Sequence, residues 1–143
     1  MPRSDIAEIE LACHELAERT EGKLDWKWDD YVGAVLATFT TDVAPDIMML
    51  LDEVFVSSWD FRSVFKAPAN IQNIAVKLGG IRKTQYLFVS DPEEEPLCYA
   101  AWWPWGDSKT ISLRVGLASK TIGDHDIEWM LREFAAWFTD ETR

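Results

Sequence analysis

The chain has 143 residues, of which 48% are hydrophobic and 13% aromatic, so it is long and apolar enough for one well-filled domain and does not read as a disordered segment. Its formal net charge of −11, from 14 basic and 25 acidic residues, repels phosphate backbones and anionic lipid, so neither nucleic acid nor a membrane surface is an expected partner. Cys13 and Cys98 lack metal-ligand spacing and read as buried free thiols. No basic start leads into an apolar core segment, and no apolar run approaches the roughly 18–20 residues that span a bilayer, so a cytoplasmic location is expected.

In chain order, Ser4 suits a helix N-cap, and Asp5 to Arg19 places Ile6, Ile9, Cys13 and Leu16 on one face before Gly22. Lys23 to Asp30 reads as a polar linker carrying Trp26 and Trp28. Val32, Val35, Leu36 and Phe39 fit helical spacing, which predicts a helix from Tyr31 to about Ala37, with a strand as the alternative because β-branched residues and Phe39-Thr40-Thr41 favour one. Pro45 suits a first helical turn, and Ile47, Leu50, Leu51 and Val54 carry the stripe that follows. Phe55 to Phe65 has no single period and reads as a connection with at most one short strand. Pro68 opens another helix with Ile71, Ile74, Ala75 and Leu78 on its face, and Gly79-Gly80 stops it.

The period then changes to two. Thr84 to Ser90, Leu97 to Trp103 and Thr110 to Leu117 read as strands joined by the proline-bracketed turn 91–96 and by Pro104-Trp105-Gly106-Asp107-Ser108. A last helix is expected from about Asp124 to Thr139. The expected fold is therefore α+β: a single domain, 1–143, in which a three-stranded antiparallel meander at about 82–117 is packed on one face by N-terminal helices and a C-terminal helix.

The chemistry-bearing patterns are sparse. His14 with Glu18 begins like a zinc-protease helix but lacks the second histidine, so an exposed helix histidine is expected. Asp124-His125-Asp126 reads as a capped helix start rather than a general base with its orienting acid. Gly79-Gly80 lies between helix and strand in the order opposite to a phosphate cradle, and the acidic turn 91–96 lacks the glycine of a calcium loop. No catalytic residues, metal or cofactor are indicated.

What stands out is eight tryptophans, three of them in Trp102-Trp103-Pro104-Trp105. Alternation sends Trp102 and Trp103 to opposite faces of their strand, so one can be core while the other lies outside. An outer surface of Trp102 or Trp103, Trp105 and Arg114, with Asp107 in the turn and Arg82 at the sheet entry, is the expected binding site, with a guanidinium stacked over an indole. In layout the chain is similar to secretion chaperones and other small acidic accessory proteins, a likeness of architecture alone, which does not set function. The expected role is a non-enzymatic interaction or accessory module that binds a protein partner or its own copy as a homodimer. The alternative is a ligand-binding or enzymatic pocket between sheet and helices, lined by Trp59, Trp102 and Tyr99, with Arg82 or Arg114 anchoring an anion.

Overall fold

The computed structural model describes residues 2–29, 33–91, 93, 96–118 and 132–138. Helix α1 (Pro2–Arg19) begins three residues before the expected Asp5, since proline is tolerated in a first turn. Its buried residues Ile9, Cys13 and Leu16 follow the helical repeat, while Glu8, Glu15 and Glu18 face solvent. Helix α2 (Ala44–Val54) places Pro45 in its first turn and buries Ile47, Leu50 and Leu51. The Arg19 guanidinium ties the two helices together, donating to Glu15 at 3.0 Å and to Glu53 of α2 at 2.7 Å.

The sheet is larger than the three-stranded meander expected at 82–117. It has six antiparallel strands: β1 (Lys27–Asp29), β2 (Ala34–Thr40), β3 (Ser57–Trp59), β4 (Tyr86–Val89), β5 (Leu97–Pro104) and β6 (Thr110–Ala118), in the order β1-β2-β6-β5-β4-β3. The expected meander is its middle, β4-β5-β6, and starts at Tyr86 rather than 82. Of the two readings open for this stretch, a helix to about Ala37 or a strand, the strand is found: β2 pairs residue for residue with β6 from Ala34↔Gly116 to Thr40↔Thr110. Here the β-branched and aromatic side chains and a seven-residue ladder override a coincidental helical spacing. The expected linker contributes β1, and the unreadable stretch 55–65 supplies β3 and the start of a 3₁₀ turn (Ser63–Lys66).

The expectation that helices cover one face is corrected too. Strand β5 is buried on both sides, and each side recruits its own cover. On what we term the inner face, Cys98, Ala100 and Trp102 join Val35, Ala37, Phe39, Phe88, Leu113 and Val115 beneath α1, α2 and the helical segment 132–138, which contributes Phe134 and Phe138. On the outer face, Leu97, Tyr99 and Ala101 join Leu87 and Val89 beneath the 3₁₀ turn and helix α3 (Ala69–Lys77), through Val64, Ile71, Ile74 and Ala75. Helix α3 ends as expected at two glycines in the left-handed region, where Gly80 N–H bonds the Ala75 carbonyl at 2.8 Å. Of the expected last helix, 132–138 is described and helical; Asp124, His125, Asp126 and Trp129 lie outside the described residues. Cys13 and Cys98 are both buried and free. They meet between α1 and the sheet, where burial and then the hydrogen bond with Cys98 push the Cys13 thiol up. Among the described residues, no helix is long and apolar enough to cross a membrane.

Trp102 is 4% exposed and packs edge-on against Phe39, with centroids 5.5 Å apart. Trp102→Ala is expected to cost about 3–5 kcal/mol in urea unfolding, and Trp105→Ala, on the surface, less than about 0.5 kcal/mol. Burial also raises the Tyr99 phenol above its ordinary 10.0, against the opposing pull of Arg114, and raises Cys13 above 9.0. Both groups stay protonated in the fold at pH values where the unfolded chain ionises. Their contribution is therefore whole below those ordinary values and is lost as pH rises through and beyond them. Urea midpoints measured from about pH 8 to 11 should fall, and fall less in Tyr99→Phe.

Candidate binding surface

Among the described residues, the outer face is covered only in part. Helix α3 and the 3₁₀ turn pack over the β4–β5 side, whereas Thr38 and Thr40 of β2 are exposed and Leu36, Ser112 and Arg114 only half-buried. The β5–β6 register explains the relief of this surface. Ala101 faces Arg114 and Trp103 faces Ser112, so two small residues form a floor and the two large ones stand on its diagonal. Pro104 and Trp105 extend the wall past the end of β5. Together these six residues line a depression of about 220 Å³.

Arg114 has no carboxylate partner among the described residues, so its guanidinium donors remain available at the rim. Among the described residues it is not stacked on an indole, contrary to expectation; a guanidinium lies over a ring at Arg62, 5.3 Å from the centroid of Phe61. Trp105 is 52% exposed. It is held in place by its backbone: its N–H donates to the Thr110 carbonyl at 2.8 Å.

Asp107 is exposed and shapes the turn. Its Oδ1 accepts the Lys109 and Thr110 N–H groups, each at 2.9 Å, and its Oδ2 accepts the Thr110 hydroxyl at 2.8 Å. The Lys109 N–H first, and then the Thr110 hydroxyl, hold this carboxyl below its usual range. Ser108 takes the left-handed conformation at φ 59° that closes the turn.

The other expected residues separate. Trp102 points to the inner core, so Trp103 is the outward member of the pair. Arg82 is exposed at the entry to β4, its N–H on Gln85 Oε1 at 2.7 Å, and does not line the depression. The alternative pocket of Trp59, Trp102 and Tyr99 is not formed, because the sheet lies between Trp102 and the other two. Trp59 instead closes on its own strand, donating from Nε1 to Ser57 Oγ at 3.0 Å. His14 does not pair with Glu18 but lies 3.3 Å from Glu10, and among the described residues no three potential metal ligands converge.

Two features were not evident in the sequence. One is the small-residue floor of Ala101 and Ser112, which only the strand register reveals. The other is Tyr99, whose ring lies across Gly116 so closely that a Cβ there would sit 2.6 Å from the phenol oxygen. Tyr99 thus extends the outer aromatic row along β5, and Gly116 is the slot that seats it. Gly116→Ala should cost about 1–3 kcal/mol of unfolding free energy, as overpacking does. In the double variant with Tyr99→Ala the two losses should fall short of their sum, because removing the ring removes the collision.

Comparison of the chain with family models, with curated proteins and with solved structures yields no match.

Proposed function

We propose that this protein is a non-enzymatic interaction module whose contact surface is the outer face of β5 and β6, centred on Trp103, Trp105 and Arg114. The observation that carries this reading is a half-buried cation without a carboxylate partner among the described residues, set beside two indoles on a part of the sheet that α3 leaves open. Tryptophan and arginine are the residue types that dominate binding energy at protein interfaces.

The size of the depression favours a protein partner over a small molecule. At about 220 Å³ it is smaller than the ~300–1,000 Å³ of ordinary ligand sites and suits one side chain delivered by a larger surface. The chemistry sets the occupant: an apolar side chain against the indoles and a neighbouring carboxylate on Arg114. Acidic chains satisfy this requirement, including a second copy of this one, so a homodimer is part of the proposal. The cytoplasm is its proposed location, since two adjacent free thiols suit a reducing compartment.

Selection from a displayed random-peptide library, with light scattering on the same samples, tests the reading. Enriched sequences should pair an apolar residue with an acidic one, or the protein should be dimeric. Either association should weaken about thirtyfold in Trp105→Ala or Arg114→Ala, as truncation of a hot spot does. A protein that selects no sequence and remains monomeric, or that associates equally well in both variants, overturns the proposal.

A further inference from the structure

A second concavity lies on the opposite side of the sheet, and its chemistry is the reverse of the first. It is a cleft of about 550 Å³ between the end of α1, the loop at 20–26 and the helical segment 132–138. Trp26 and Trp137 contribute aromatic walls, and Glu18, Glu21 and Asp25 stand around the rim.

The walls are fixed in place. Trp26 is buried and donates from Nε1 to Thr20 Oγ1 at 2.9 Å, and that hydroxyl in turn donates to the Leu16 carbonyl at 2.6 Å. The Trp26 ring lies 4.9 Å from Phe138, and Trp137 stands edge-on to Phe134 at 5.8 Å. Trp137 is only half-buried.

Three sources of negative potential meet here. Glu18 and Glu21 have no cationic partner among the described residues. Asp25 is only loosely paired, 3.7 Å from Lys27. The cleft also opens at the C-terminal end of the 18-residue helix α1, where the aligned backbone dipoles favour a cation. Among the described residues no lysine or arginine lines it, and Arg19, the basic residue of the last turn of α1, is committed to Glu15 and Glu53.

We infer that this cleft is a docking site for a basic peptide segment of a protein partner, with an arginine or lysine side chain laid against Trp137 and its charge among Glu18, Glu21 and Asp25. The carboxylates are spread around the rim and do not converge with His14 into a metal-binding group, so an organic cation with an apolar stem is the matching occupant.

The test uses an arginine peptide, acetyl-Gly-Arg-Leu-Arg-Gly-amide, titrated into the whole protein by calorimetry, with the citrulline peptide as its uncharged counterpart. The arginine peptide should bind and the citrulline peptide should not. The double variant Glu18→Gln/Glu21→Gln should weaken binding about three- to tenfold, and Trp137→Leu about two- to fivefold. The double variant Asp42→Asn/Asp52→Asn removes the same charge at two exposed positions outside the cleft and should leave binding unchanged. Circular dichroism of each variant confirms that it folds. Absence of binding, equal binding of the citrulline peptide, or an equal loss in the Asp42/Asp52 variant, which would reveal attraction to the net charge alone, overturns the inference. Trp105→Ala should be without effect here, so failure of this site and failure of the outer surface are distinguishable.

Discussion

Burial of β5 on both of its faces is the constraint that organises the rest of this molecule. From Leu97 to Trp102 every residue is buried, and a strand apolar on both sides must be covered from both sides. Helices α1 and α2 satisfy one side and α3 the other. Helix α3 has nine residues and, with the 3₁₀ turn, covers the β3–β4–β5 side. The neighbouring strands β6 and β2 meet this limit with alternation: Ile111, Leu113 and Val115 point inward, and Ser112 and Arg114 point out. Among the described residues, the surface left open follows from how far one short helix reaches.

The two concave surfaces differ in origin as well as in sign. The outer depression comes from strand register, which puts small residues opposite large ones and leaves Arg114 at the rim. The inner-side cleft comes from chain termination: α1 ends, Gly22 turns at φ 82°, and Trp26 is drawn back over the helix end by Thr20. One surface presents a cation on a strongly acidic protein, and the other concentrates carboxylates where a helix dipole already points. The two concavities are thus opposite in charge and separated by the thickness of the sheet.

The legible parts of the fold are those in which a local period was long enough to be read. Helices α2 and α3, with Pro45, Pro68 and Gly79-Gly80 as punctuation, were evident, and so was the alternation of β4 to β6. Strand β2 is ambiguous in the sequence because Val32, Val35, Leu36 and Phe39 also satisfy a helical spacing, and only the ladder with β6 decides between the two. Strands β1 and β3, with three residues each, are too short to show any period. In the candidate surface, alternation separated Trp102 from Trp103, but which of them lies inside depends on the packing of Phe39, which is remote in sequence. The charge of Asp107 is visible in the sequence, whereas its bonds to Lys109 and Thr110 follow from a turn geometry that the spacing only hints at. The cleft of Glu18, Trp26 and Trp137 joins positions more than a hundred residues apart and leaves no local trace.

Those same three-residue strands bear on how the molecule can assemble. A sheet can lengthen by accepting a further strand at a free margin, a route that leads to fibrous aggregates when the margin is long and flat. Here both margins are brief, and β1 carries Lys27 and Asp29 at its two ends. An edge strand of three residues offers an incoming strand a ladder of three positions at most, so neither β1 nor β3 is a strong template for growth within the plane of the sheet.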